Sequence, residues 1–164
     1  MNRWNSRFSP QRNRPAILAV LNASPESFYS GSVETDAEEI ALRVRRMEAD
    51  GADAIDIGAR SSAPYKETAI TLDEEVRRMA LAVRTARSAT QLPISADTPR
   101  AEVARAALDE GADAVNDITA LAGDPAMAPL IAARGCGALL MVNDAPDLDE
   151  RGEAPHRVVA RLLD

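Results

Sequence analysis

One four-residue phrase occurs twice in this chain, as Gly51-Ala52-Asp53-Ala54 and again as Gly111-Ala112-Asp113-Ala114. Each copy follows a stretch with helical spacing of apolar residues and precedes a short apolar run, so it closes a helix and opens a strand. The repeat is a βα unit rather than a solenoid motif, and strands alternating with helices require a parallel sheet. The expected strands are Ala16 to Leu21, Ala54 to Ile57, Pro93 to Ala96, Ala114 to Asn116 and Ala138 to Val142, short and apolar as strands buried on both faces are. Thr35 with Glu38 and Thr71 with Glu74 have capping-box spacing, while Thr98-Pro99 and Asp124-Pro125 set a capping oxygen before a proline at the first helical position. Apolar stripes follow these starts: Ile40, Val44 and Met47; Val76, Met79, Ala80 and Val83; Val103, Ala106 and Ala107; Met127, Leu130 and Ile131. A right-handed series of such units gives either a doubly wound open sheet or part of a β/α barrel.

The 164 residues, 46% apolar and 27% charged, suffice for one domain with a hydrophobic core. That domain is expected over residues 15–164. Residues 1–14 carry Arg3, Arg7, Arg12 and Arg14 and no acid, and are expected to form a flexible, solvated arm. All aromatics precede residue 66, so the core must be built from Ala, Val, Ile, Leu and Met. With 26 acidic against 19 basic residues and a net charge of −7, no global field draws the chain to nucleic acid or to an anionic membrane. Small molecules are the better partners. The single cysteine, Cys136, permits no internal disulfide; there is no apolar run long enough to span a bilayer and no secretory h-region, so a cytoplasmic location is expected.

Both candidate folds place chemistry at the C-terminal ends of the strands, and polar residues collect there. Asn22 follows the first strand, Asp56 lies in the second with Ser61 and Ser62 beyond it, Asp97 follows the third, Asn116 and Asp117 end the fourth, and Asn143 and Asp144 follow the fifth. The connections Ala23 to Glu34 and Ala59 to Ile70 are long for βα loops, and long loops there usually carry function.

The string Leu21-Asn22-Ala23-Ser24-Pro25-Glu26-Ser27-Phe28 resembles the first signature of the dihydropteroate synthases, Asn-x-Thr-Pro-Asp-Ser-Phe. Later segments agree in order: Gly51 to Gly58, Asp97-Thr98, and Gly111-Ala112-Asp113 leading to Asn116-Asp117. The spellings Asn-Ala-Ser-Pro-Glu-Ser-Phe and Ala-Pro-Tyr look closer to the divergent branch associated with methanopterin-type carriers. The resemblance implies an α/β fold of the (β/α)8 TIM-barrel type, of which roughly the first five units are present here. It further implies condensation of 6-hydroxymethyl-7,8-dihydropterin diphosphate with p-aminobenzoate or a related arylamine, with release of diphosphate assisted by Mg²⁺. A homo-oligomer is compatible with the family's habit of dimerising through outer helices. On this reading Asn22, being neutral, offers an oxygen to Mg²⁺ or an N–H to diphosphate without charge repulsion. Asp97 and Asn116 meet the N–H-rich edge of the pterin, and Asn22 and Asp97 are the residues that act in catalysis. Ser61 and Ser62 face the arylamine, and Met141 matches a family methionine that composition alone would place in the core. Asp56, buried in a strand, needs partners, and both a structural hydrogen bond and ligand contact satisfy it. Asp117 serves the loop after its strand.

The departures from the family pattern are specific. Where the family's second loop has Gly-Gly-Glu-Ser-Thr-Arg-Pro, this chain has Gly58-Ala59-Arg60-Ser61-Ser62-Ala63-Pro64, so the arginine is replaced by Ala63. Met141-Val142 stands where Met-His is usual, His156 lies in a polar stretch at the start of an expected helix from Pro155 to Leu163, and Lys66 is the only lysine. Two other readings share these features: a pterin-dependent methyltransferase, which the Asn22 to Phe28 motif argues against, and a truncated pterin-binding subunit without catalysis.

Overall fold

The computed structural model describes residues 3–4, 14–23, 33–60 and 70–141. Within them the elements run β1 (Leu18–Asn22), α1 (Val33–Ala49), β2 (Ala54–Gly58), α2 (Leu72–Ala89), β3 (Ile94–Asp97), α3 (Ala101–Asp109), β4 (Ala114–Asp117), α4 (Met127–Arg134) and β5 (Gly137–Leu140). The strands form one sheet in the order β1-β2-β3-β4-β5, every pair parallel. Ser24 to Phe28, Ser61 to Pro64, Lys66, Val142, Asn143, Asp144, His156 and the helix expected from Pro155 lie outside the described residues.

The sheet resolves the choice between open and barrel-type winding. Leu21, Ile55, Ile57, Ile94 and Ala96, which share one face of the sheet, pack in a single core with Ile40 and Val44 of α1, Met79, Ala82, Val83 and Ala86 of α2, and Val103 and Ala107 of α3. A second cluster joins Val115 of β4 to Ala104 of α3 and to Met127 and Leu130 of α4. The helices therefore cover one face and strand order never reverses, which is the arrangement of a barrel section and not of a doubly wound sheet. The other face holds Leu18, Ala54, Ala114 and Leu139, which gather around Trp4. Of the segment expected to be a solvated arm, the described residues are tied to the fold: Trp4 is 6% exposed, Arg3 lies 3.6 Å from Asp113, and Arg14 bonds Asp53. Burial of the indole against these apolar side chains removes a large apolar surface from water.

The repeated phrase has one mechanism in both copies. Gly51 and Gly111 take φ of 99° and 103°, a left-handed turn that glycine adopts without a Cβ penalty, and the next residue bonds back into the helix, Ala52 N–H to Met47 O at 3.0 Å and Ala112 N–H to Ala107 O at 3.0 Å. The aspartate then exchanges two bonds with the neighbouring strand. Asp53 N–H donates to Ile17 O (2.8 Å) while Ile17 N–H donates to Asp53 Oδ2 (3.0 Å); Asp113 N–H donates to Ile94 O (2.7 Å) while Ile94 N–H donates to Asp113 Oδ2 (3.0 Å). Each carboxylate also holds an arginine, Arg14 in fork geometry at 2.7 and 2.8 Å on Asp53 and Arg87 at 2.6 Å on Asp113. Arg87 donates in addition to the carbonyls of Thr90, Leu92 and Gly111, joining the end of α2 to the turn that begins β4.

Local starts and ends differ from expectation in ways the bonds explain. β2, β3 and β4 each run one residue further than expected, to Gly58, Asp97 and Asp117; β1 is Leu18–Asn22 and β5 stops at Leu140. Burial on both faces holds for β2 and β3, whereas Val20 of β1 is 57% exposed and Leu140 of β5 is 44% exposed. Thr71 caps α2 as expected, accepting from Glu74 N–H at 3.3 Å, but the Glu74 carboxylate binds Arg77 and Arg78 instead of reaching back. α1 already begins at Val33, ahead of Thr35. Thr98 bonds Arg100 N–H in a turn before α3, and the first N–H of that helix, Ala101, donates to Asp124 from the next unit at 2.8 Å. Asp124 likewise caps a turn at Ala126 (2.9 Å), with α4 starting at Met127. On α2 the buried stripe is Glu75, Met79, Ala82, Val83 and Ala86, so Val76 and Ala80 lie at its margin. No helix among the described residues is long and apolar enough to cross a membrane.

Removing one clamp tests its role. Asp113→Ala removes the acceptor of Arg87 Nη2 and of the Ile94 N–H and the charge that answers the partly buried guanidinium, and is expected to cost about 3 kcal/mol of stability. Urea unfolding followed by the fluorescence of Trp4, the only tryptophan, measures it; a loss below about 1 kcal/mol, the range of a surface ion pair, contradicts the clamp.

Candidate functional site

The register set by the strands places the polar residues in two rows on the Trp4 face, near the C-terminal ends of the strands. The upper row runs Asn22, Gly58, Asp97, Asn116, Leu139 across the five strands. The lower row, two residues back along each strand, runs Val20, Asp56, Ser95, Ala114, Gly137. Because successive side chains alternate between faces, both rows point the same way.

Asp56 is 4% exposed and its two oxygens are engaged separately: Ser95 Oγ donates to Oδ1 at 2.5 Å and Asn116 Nδ2 donates to Oδ2 at 2.9 Å. Burial raises its pKa above the ordinary carboxylate value, and the bonds from Ser95 and Asn116 oppose that rise. The Asn116 amide is thereby oriented, one N–H held by Asp56, which leaves its other N–H and its carbonyl oxygen to be offered beside Asp97. Asp97 stands differently. Burial, reinforced by the negative charge of Asp56 and further by Asp117 and Glu75, pushes its pKa up to about 6, against a smaller lowering by Arg60. Asn22 is exposed at the end of β1, and its Oδ1 together with Asp97 Oδ2 faces the space over Gly58.

Flanking residues hold this arrangement. Asp117, fully buried, accepts from Thr119 N–H (2.8 Å), Thr119 Oγ1 (2.7 Å) and Leu121 N–H (3.0 Å), fixing a loop in which Ala120 and Leu121 have φ of 52° and 69°. Its expected service to the loop after its strand is met. Glu75, 2% exposed on the first turn of α2, accepts from Thr98 Oγ1 (3.3 Å) and Arg100 Nη1 (2.9 Å), pinning the connection after Asp97.

Asn22, Asp56, Asp97 and Asn116 are thus brought together, while Ser61 and Ser62 lie outside the described residues. Met141 follows β5 beyond Leu139 and is 46% exposed, so it is not the core residue that composition suggested. Sequence reading missed Ser95, Gly58 and Glu75. Strand alternation could have found the first two, since Ser95 is two residues from Asp97 and Gly58 two from Asp56. Glu75 gave no signal, because a carboxylate on a helix's first turn is ordinarily solvated.

The arrangement yields a pH test. A carboxyl whose pKa rises on folding contributes its full stability below the ordinary value and loses it as pH rises through about 6. Asp97→Asn is therefore expected to unfold at higher temperature than the unsubstituted protein at pH 7.5, with the gap closing toward pH 4; equal gaps at both pH values refute the assignment.

Comparison with known proteins places these residues in context. Residues 18–163 match the family described as pterin binding enzyme. A dihydropteroate synthase from Synechocystis sp. is 37% identical over 128 residues, 78% of this chain and 44% of that protein. Inactive dihydropteroate synthase 2 from Mycobacterium leprae is 40% identical over 126 residues, 76% of this chain and 42% of that protein. The solved structure of Xanthomonas albilineans dihydropteroate synthase with 4-aminobenzoic acid superposes with a TM-score of 0.76 at 32% identity, covering 92% of this chain and 55% of that one. The chain spans half or less of the length of these curated relatives.

Proposed function

Because the chain belongs to the pterin binding enzyme family, we propose that it is the pterin-binding part of a dihydropteroate synthase-like transferase. The reaction joins 6-hydroxymethyl-7,8-dihydropterin diphosphate to p-aminobenzoate or a related arylamine, forming a carbon–nitrogen bond as diphosphate departs, and its setting is the cytoplasm. The observation that carries this reading is the upper row, in which Asn22, across Gly58, faces the adjacent Asp97 and Asn116 on one face of the sheet, with Asp56 bound beneath Asn116.

The roles follow from the groups. Asp97, ionised above its pKa of about 6, accepts from ring and exocyclic N–H groups of a pterin, and the Asn116 carbonyl accepts beside it. A ligand that donates to Asp97 favours the ionised form and relieves the crowding of carboxylates that raised its pKa. Asn22 lies two strands away at the solvent edge, where a diphosphate projecting from the ring would reach it. Mg²⁺ fits there only as a shared ion. The described residues contain no group of three His, Cys, Asp or Glu able to hold a metal, so Asn22 Oδ1 would supply one oxygen and diphosphate and water the others. When bound, the ion offsets the charge on the leaving group. The chain's own part in the chemistry is to position the pterin and hold its N–H edge.

A second reading, binding without turnover, is favoured by Ala63 in place of the family arginine and by the 40% identity to a relative named as inactive. One titration separates the readings. The folded chain with Mg²⁺ is expected to bind 6-hydroxymethyl-7,8-dihydropterin diphosphate saturably, and Asp97→Asn and Asn116→Ala each to weaken binding roughly tenfold or more. Formation of dihydropteroate on adding p-aminobenzoate supports the transferase, binding alone supports the second reading, and a folded chain that binds nothing rejects both.

A further inference from the structure

Gly58 is the one member of the upper row between two polar side chains that carries none itself, and neither ordinary structural reason for a glycine applies to it. It lies in regular strand, outside the positive-φ glycines Gly51, Gly111 and Gly135. Nor is it a close-packing position. A Cβ there would meet Asn22 Oδ1 at 3.4 Å, Asp97 Oδ2 at 3.7 Å and the Arg60 carbonyl oxygen at 4.0 Å, all ordinary van der Waals separations. The contrast with Gly137 on the same face is direct, where a Cβ would stand 2.4 Å from Trp4 Cδ1. At Gly58 alanine fits the protein as it stands. What a methyl would consume is the space from which one ligand atom meets both the Asn22 amide oxygen and the Asp97 carboxylate.

We propose that Gly58 is a specificity-determining residue, whose missing side chain leaves room between Asn22 and Asp97 for the substituted carbon that links a flat N–H-bearing ring to its anionic tail. The inference rests on the pterin reading above. With the ring held by Asp97 and Asn116 and the diphosphate toward Asn22, the connecting methylene must cross the lateral position of Gly58, because β2 separates β1 from β3. That methylene is the carbon at which the bond to diphosphate breaks and the bond to the amine nitrogen forms, so the floor beneath it must be clear on the side that Gly58 occupies. A larger residue would leave the ring site open while obstructing the carbon that reacts. Gly58 thus admits ligands extended at this carbon and does not contribute to affinity for the ring itself.

The test compares two ligands on one variant. Gly58→Ala in the full chain is expected to keep the melting temperature and to bind unsubstituted pterin within about threefold of the parent protein, while losing roughly tenfold or more in affinity for 6-hydroxymethyl-7,8-dihydropterin diphosphate with Mg²⁺, the range for one methyl intruding on a fitted site. Equal losses for both ligands, no loss for either, or a melting temperature lowered by more than about 5 °C each overturn the inference, the last by making the glycine a packing requirement. If the unsubstituted protein binds both ligands and only the alanine variant behaves otherwise than expected, the specificity role alone is lost. If the folded parent binds neither ligand, the pterin reading falls and this inference falls with it.

Discussion

Register between parallel strands is what turns a series of βα units into a site, and here two aspartate clamps hold it. Asp53 fastens the chain just before β2 to Ile17 at the approach to β1, and Asp113 fastens the chain before β4 to Ile94 at the head of β3. A slip of one residue in either pair would turn every side chain of a strand to the opposite face. Asn22 would then leave the row it shares with Gly58, or Asn116 the row it shares with Asp97. The clamps sit at the N-terminal ends of the strands and the polar rows near the C-terminal ends, so stability and chemistry are divided between the ends of a sheet only four or five residues deep. The middle pairing, β2 with β3, has no aspartate clamp; Ile55 N–H donates to Pro93 O, and Thr90 Oγ1 donates to Glu48 from the helix layer at 2.6 Å.

Five aspartates on the strands or their approaches meet four environments, Asp53 and Asp113 sharing one, and the differences set Asp97 apart. Asp113 has an arginine and a backbone N–H; Asp117 has two backbone N–H groups and a hydroxyl; Asp56 has a hydroxyl and an amide. Each has its charge or polarity answered, Asp56 and Asp117 in full burial and Asp113 in partial burial, as burial of a carboxylate demands. Asp97 is half-buried in a neighbourhood where Asp56, Asp117 and Glu75 all raise its pKa and only Arg60 lowers it. A carboxylate kept where it weakens the fold at neutral pH agrees with the proposed role of Asp97 in holding the pterin.

Much of this was legible in the sequence because the signals were local. The repeated Gly-Ala-Asp-Ala marked two helix ends and two strand starts, and strand alternation with short apolar runs identified all five strands to within a residue or two. The capping oxygens were also recognised, but their targets were not. Thr98 and Asp124 do cap, yet each serves a turn, and Asp124 reaches across to α3, a partner 23 residues away that no local spacing encodes. The buried Trp4 was misread for the same reason, since its partners Ala54, Ala114 and Leu139 are distant in sequence. At the site, Asn22, Asp97 and Asn116 were visible as polar residues ending apolar runs. The register that aligns them, and the gap at Gly58, exist only once the strands are paired.

The bond from Asn116 to Asp56 also changes what the site can recognise. An asparagine read from sequence both donates and accepts, and would tolerate a ligand edge of either kind. With one N–H held by Asp56, Asn116 keeps a fixed orientation in which its other N–H and its carbonyl oxygen remain, and Asp97 above pH 6 offers an acceptor beside them. On the proposed pterin reading, a carboxylate beside a fixed amide favours a ring that presents a donor to Asp97, because an acceptor facing an acceptor loses its water without compensation. On the proposed reading Asp56 acts through the amide it orients. Ser95 completes the device: by occupying the other oxygen of Asp56 it leaves the carboxylate one direction in which to pull, toward Asn116.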